Sequence, residues 1–175
     1  AEKPLIDDVI LTQIIEKKKN AERPVIYAGG GVRLSGAYDK FRSVLKKLNV
    51  PVVTYWNSID LIEDDDPLYV GRGGNMGDRA GNFAVQNSDL LIALGTRLSI
   101  RQTGYDFKSW ARKAFVIMVD IDRAEMKKHT IHVDMPVWAD LKDFLGKLDA
   151  MSDTDTVVFN NPVWLEACRK WKKNY

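Results

Sequence analysis

Short apolar runs alternate with helical patterns along almost the whole chain, and this alternation restricts the fold more than any other feature. Apolar runs of strand length occupy Pro24–Ala28 and residues 51–54, 89–94, 114–119 and 130–133. Continuous apolar strands that are separated by helices are typical of a parallel sheet covered on both faces. Crossovers between parallel strands are right-handed, so helices lie on both sides wherever the strand order reverses. The sequence therefore predicts a doubly wound α/β domain.

Helical spacing of apolar residues predicts helices over residues 6–19, 35–48, 78–87 and 140–148, with Ser35 as the N-cap of the second. Residues 151–161 are polar and turn-rich and predict a linker, after which Pro162 fits the first turn of a final helix. The domain division expected is thus 1–150 for the central α/β domain and 151–175 for a linker and helix. Since the chain begins without methionine and stops inside a helical pattern, we expect it to be part of a longer protein.

Composition excludes several classes of protein. A chain of 175 residues with 45% hydrophobic and 29% charged residues is typical of one globular domain. The net charge of +2 predicts no bulk attraction to nucleic acid, and no apolar run approaches the length of a membrane span or a signal peptide. A cytoplasmic location is expected. Cys168 is the only cysteine, which excludes an internal disulfide and a cysteine-built metal site.

Three glycines follow the first predicted strand, at Gly29, Gly30 and Gly31. Glycines there let the backbone approach a ligand closely, and Gly30 in particular is expected to need a positive φ. Two interpretations stay open: a loop that binds a phosphate, or a tight turn without a ligand. Asp120 and Asp122 lie where a later strand ends. They could accept hydrogen bonds from ribose hydroxyls, and Asp122 could instead cap the following turn.

No arrangement typical of a catalytic site is present, so catalytic residues are predicted to be absent. The sequence contains no Gly-x-Ser-x-Gly motif, and neither histidine has an evident nucleophilic partner. His129 and His132 have a spacing that could suit a metal, but their surroundings favour two ordinary histidines at a strand end. No metal site is therefore predicted.

Several segments together resemble, in order and spacing, the central domain of thiamine-diphosphate enzymes of the acetolactate synthase family. The segments are Pro24-Val25-Ile26-Tyr27-Ala28-Gly29-Gly30-Gly31, Gly74-Asn75-Met76-Gly77, Asn82-Phe83-Ala84-Val85, Ser88 to Leu98, Val119 to Met126 and Trp138-Ala139-Asp140. The resemblance covers roughly residues 23–148. It implies a six-stranded parallel sheet of order 3-2-1-4-5-6, placed between two thiamine-binding domains. Those flanking domains hold the catalytic glutamate and the diphosphate–magnesium motif in the family.

The resemblance also implies what the whole enzyme does. Its parent would be a carboligase or decarboxylase acting on 2-oxo acids with thiamine diphosphate and Mg²⁺, working as a homodimer or tetramer. The central domain by itself would be inactive. In acetolactate synthases this domain holds the adenosine and diphosphate of an FAD that takes no part in the net reaction. By resemblance, the contacts would come from Gly29, Gly30, Gly31, Gly74, Asn75, Met76, Gly77, Arg97, Asp120, Asp122 and Asp140.

Two departures from the family pattern concern the flavin. The family loop usually reads Gly-Met-His-Gly, where this chain has Gly74-Asn75-Met76-Gly77. After the arginine the family usually has Asp-Asp-Arg, where this chain has Ser99-Ile100-Arg101. These changes predict that FAD is bound weakly or is not needed.

Two other classes of protein have a similar fold. A self-standing nucleotide-binding module, as in electron-transfer flavoproteins, would share the fold. A sirtuin-type deacylase would need a zinc-binding cysteine set, which a single cysteine cannot supply.

Overall fold

A computed structural model describes residues 3–152 and 158–175. One sheet of six strands runs through it in the order β3-β2-β1-β4-β5-β6, and every neighbouring pair is parallel. The strands are β1 Pro24–Ala28, β2 Val52–Thr54, β3 Tyr69–Arg72, β4 Leu90–Leu94, β5 Phe115–Asp120 and β6 Met135–Trp138. The predicted α/β class and the implied strand order 3-2-1-4-5-6 are confirmed.

Eight α-helices surround this sheet in the described residues. They are α1 Asp8–Asn20, α2 Gly31–Leu34, α3 Tyr38–Leu48, α4 Arg79–Asn87, α5 Ile100–Thr103, α6 Arg123–Met126, α7 Leu141–Met151 and α8 Pro162–Asn174. Every residue of β1, β2 and β4 is buried, as the continuous apolar runs predict. Apolar side chains of α1, α3 and α7, among them Ile14, Phe41 and Phe144, pack against Ile26 and Ile92 of the sheet.

The final helix packs onto the rest of the chain. Trp164, Leu165 and Cys168 are buried, and the indole N–H of Trp164 donates to the carbonyl of Pro24 at 3.1 Å. The helix contacts α4 and the edge strand β3. Pro162 occupies its first turn as predicted. Part of the predicted linker, residues 153–157, lies outside the described residues, and the division at residue 150 stays a prediction.

Two local predictions are wrong. Ser35 does not begin a helix but ends α2, because Gly36 adopts a φ of +72° and interrupts the chain before α3. The strand predicted over residues 130–133 lies in a turn, and β6 begins at Met135. This strand contains Pro136, which an edge strand tolerates because one side of its backbone has no neighbour to bond.

Candidate functional site

The candidate site lies at the carboxyl edge of the sheet, where the strand order reverses between β1 and β4. In open parallel sheets a crevice forms at such a point, since the loops after the two strands lead to opposite sides. Here the loop after β1 holds Gly29–Gly31, and the loop after β4 holds Gly95 and Arg97. The crevice consists of two adjoining grooves.

The acidic groove has a volume of about 450 Å³. Its polar lining includes Lys3, Arg97, Asp120, Asp122 and Asp140. The polar groove, of about 310 Å³, is lined by Arg97 and by uncharged residues that include Gly30, Asn57, Ser99 and Gln102. Gly31, Leu34, Gly95 and Arg97 line both grooves. Five residues expected from the sequence, Gly31, Arg97, Asp120, Asp122 and Asp140, thus meet around one groove.

In the loop Gly29–Gly31, the glycines that are sterically required are not the one predicted. Gly30 has a φ of −59°, and a Cβ added there would meet only the Ser58 hydroxyl at 3.9 Å. The prediction that Gly30 needs a positive φ is therefore wrong. Its neighbours are the restricted ones. A Cβ on Gly29 would lie 2.5 Å from the Gly95 carbonyl oxygen, and one on Gly31 would lie 2.6 Å from the Gly95 Cα.

Asp120 and Asp122 end strand β5 and begin α6. The Oδ1 of Asp120 accepts from the Asp122 backbone N–H at 2.9 Å, and the Oδ1 of Asp122 accepts from Ala124 N–H at 2.9 Å. The expected capping role of Asp122 is confirmed. Burial raises the pKa of the Asp120 carboxyl, and the nearby charge of Glu125 raises it further, although the hydrogen bond from Asp122 opposes them. A ribose-binding role for either carboxylate stays a prediction.

Asp140 has structural partners of its own. It is the N-cap of α7, where its Oδ1 accepts from Lys142 N–H at 2.7 Å, and its Oδ2 lies 2.9 Å from the Lys3 ammonium. Burial alone would raise the pKa of this carboxyl, but the bonds to Lys3 and Lys142 outweigh burial and lower it. The carboxylate is therefore charged at neutral pH and ties the segment before α1 to the acidic groove.

The loop from Gly74 to Gly77 is not among the residues that line either groove. Gly74 has a φ of +102°, and Asn82 holds its N–H and its carbonyl with two side-chain hydrogen bonds. Asn75 N–H donates to the carbonyl of Arg101 at 2.8 Å, so the loop abuts α5. Met76 is 73% exposed. Contacts from this loop to a nucleotide stay a prediction.

Sequence reasoning missed the wall of the polar groove. Ser99 caps α5 in a reciprocal pair with Gln102, and the Gln102 amide donates to Thr96 Oγ1 at 2.6 Å. The Ser-x-x-Gln spacing is a known capping signal and could have identified this turn. Asn57 gave no such signal, since only the fold brings the loop after β2 to the groove.

The described residues hold neither a candidate metal site nor a candidate membrane span. Residues 3–152 and 158–175 contain no cluster of three or more metal-binding side chains. Across the same residues, no helix combines the length and the apolar character that crossing a membrane requires. His132, which was predicted at a strand end, lies in the turn before β6, with its Nε2 3.2 Å from the carbonyl of Ala114.

Comparison with known proteins places this geometry in a family. The family model described as thiamine pyrophosphate enzyme, central domain, matches residues 11–148. The chain is 37% identical over 163 residues to a probable acetolactate synthase large subunit of Methanococcus aeolicus, covering 89% of the chain and 27% of that protein. It is 42% identical over 156 residues to the isozyme 2 large subunit of acetolactate synthase of Escherichia coli K12, covering 89% and 27%. A Lactococcus lactis acetolactate synthase large subunit is 32% identical over 166 residues, covering 95% and 28%.

The chain spans a little over a quarter of the length of these relatives. These matches give no support to the alternative of a self-standing module of the electron-transfer flavoprotein type, because they are to acetolactate synthase large subunits. The chain belongs to the family of thiamine pyrophosphate enzyme central domains, as found in acetolactate synthase large subunits.

Proposed function

We propose that the two grooves form a nucleotide site that takes the adenosine diphosphate part of FAD. The position of Arg97 is the observation that supports this most directly, because this residue lines both grooves and its side chain is 73% exposed. A diphosphate crossing from one groove to the other would pass this cation, and guanidinium groups pair well with phosphate oxygens. The carboxylates of Asp120 and Asp122 stand in the acidic groove, where they suit ribose hydroxyls.

The residues present fit a nucleotide better than they fit the whole flavin. Ser99 uses its hydroxyl and backbone to cap α5, and Ile100 offers an exposed apolar side chain in place of a carboxylate. Each missing hydrogen bond costs about 0.5–1.5 kcal/mol. The changes at Ser99, Ile100 and Met76 make three such losses. Together they weaken FAD binding by about tenfold to a thousandfold relative to a site that has the family's two aspartates and histidine. FAD is thus expected to bind no more than marginally tighter than ADP.

Calorimetric titration of the chain with ADP and with FAD tests this site. Arg97→Gln should weaken ADP binding by at least about tenfold, since it removes the cation at the junction. Arg101→Gln is the matched control, because Arg101 is exposed on α5 and is not among the lining residues. No ADP binding by the unmodified chain, or equal losses in both variants, would contradict the proposal.

We also infer that the full-length protein is a carboligase or decarboxylase of 2-oxo acids. Support comes from its acetolactate synthase relatives. Thiamine diphosphate with Mg²⁺ would supply the carbanion chemistry for such a reaction, bound by parts of the enzyme other than this chain. This chain alone, given thiamine diphosphate, magnesium and pyruvate, should release no carbon dioxide, whereas the full-length enzyme should. A homodimer or tetramer and a cytoplasmic location stay predictions.

A further inference from the structure

The backbone around Arg97 is unusual for a loop that must place a cation. Gly95 has a φ of +54°, and Leu98 has a φ of +47° although it is not glycine. Leu98 is also buried, with 1% of its surface exposed. Left-handed backbone at a branched apolar residue is disfavoured, so surrounding contacts must hold it. Arg97 therefore lies in a loop whose backbone is held by its surroundings on both sides.

Glu125 of α6 and Lys128, two residues beyond the end of this helix, both contact Arg97. The Nε of Arg97 lies 3.4 Å from Oε1 of Glu125, and the ammonium of Lys128 donates to the Arg97 carbonyl at 2.8 Å. Lys128 also forms an ion pair with Oε2 of Glu125. The Glu125 side chain is only 14% exposed, so its charge is poorly screened and faces both cations. The Arg97 side chain nevertheless stays largely exposed, and the residue lines both grooves.

We propose that Glu125 and Lys128 are positioning residues that hold Arg97 ready for the diphosphate of a nucleotide; this rests on the proposed nucleotide site. Immobilising a long side chain on binding has an entropic cost, and a preformed contact removes part of that cost in advance. Glu125 occupies the Nε side of the guanidinium, which leaves the two terminal nitrogens for phosphate oxygens. Lys128 fixes the backbone from which the side chain extends.

Charge alone predicts the opposite result from positioning. Glu125→Gln removes a negative charge beside an anion site, so a purely electrostatic role predicts tighter ADP binding. A positioning role predicts weaker binding, because the freed arginine must be ordered by the ligand. We expect about tenfold weaker binding, equivalent to 1.4 kcal/mol. The sign of the change therefore separates the two explanations.

A double-mutant cycle separates positioning from general damage. ADP binding is measured by NMR titration of the unmodified chain, Glu125→Gln, Arg97→Gln and the double variant. If Glu125 acts through Arg97, then Glu125→Gln should have no further effect once Arg97 is replaced. The matched control is Glu16→Gln on α1, which breaks a similar i, i+3 pair with Lys19 away from the grooves and should leave binding unchanged.

Three results would overturn the positioning role of Glu125. Unchanged or tighter binding by Glu125→Gln would overturn the positioning role while leaving the nucleotide site intact. An equal loss in the Arg97→Gln background would also overturn it, because the effect would not pass through Arg97. Failure of the unmodified chain to bind ADP would overturn both the site and the positioning role.

Discussion

The glycine loop offers a test in which two adjacent substitutions should have opposite effects. Gly31 packs on the loop after β4, where an added Cβ would lie 2.6 Å from the Gly95 Cα and 2.8 Å from its carbonyl oxygen. Both contacts are with backbone, which cannot turn aside as a flexible side chain can. Gly30 has open space, and its φ of −59° with ψ of −20° suits any residue.

The magnitudes follow from these contacts. Overpacking of this kind costs about 2–3 kcal/mol, and the better helix propensity of alanine at the start of α2 returns about 1 kcal/mol. Gly31→Ala should therefore lose about 1–2 kcal/mol, a fall in Tm of about 2–8 °C for a chain of this size. Gly30→Ala should gain about 0.4–1 kcal/mol by restricting the unfolded chain, a rise of about 1–4 °C.

Thermal and urea unfolding followed by circular dichroism measure both variants against the unmodified chain. The two Tm values should lie on opposite sides of the unmodified one. If Gly31→Ala is as stable as the unmodified chain, the loops after β1 and β4 are not packed as closely as described. If Gly30→Ala loses as much stability as Gly31→Ala, the loop needs glycine at both positions and Gly30 does not have the open space described.

Three further predictions concern single side chains. Asp140→Ala should lower the free energy of unfolding by about 1 kcal/mol because α7 loses its N-cap. Asp140→Asn should lower it less, because the amide oxygen can still accept from Lys142 N–H. Equal losses of the two variants in thermal unfolding would contradict the capping role. Lys40 and Lys47 hold the pKa of the Asp149 carboxyl below its usual value. The charged carboxylate therefore stabilises the fold above about pH 4, the pKa of an unperturbed aspartate. This contribution is lost as the pH falls toward the pKa of Asp149 in the folded chain. Urea unfolding should accordingly show a smaller loss of stability on acidification for Asp149→Asn than for the unmodified chain. Burial raises the pKa of the Cys168 thiol to about 12. A disulfide reagent at about pH 8 should therefore label this thiol only after the chain unfolds. Rapid labelling of the folded chain would refute the burial of Cys168.

Sequence reasoning succeeded where the signal was local. The apolar run of β1 ends at Ala28 because the chain turns at the glycines, and Asp140 begins a helix because its carboxylate can accept from a backbone N–H two residues later. It failed for β6, where Ile131 and Val133 have strand propensity but lie before the strand, and Pro136 lies in the strand itself. That outcome depends on the edge position of β6, which is a property of the assembled sheet.

The wrong prediction for Gly30 also arose because the outcome depends on the assembled sheet. Within this loop, different glycines serve the packing of the fold and the shape of the polar groove. Three consecutive glycines look equivalent in the sequence, yet Gly29 and Gly31 face the loop after β4 while Gly30 faces the polar groove. The outer two glycines bring the loops together, and this approach sets Arg97 beside the acidic groove. The middle glycine leaves room in the polar groove. The three glycines differ in role because β1 pairs with β4, which brings Gly95 of the loop after β4 against Gly29 and Gly31. The sequence around the glycines does not contain this contact.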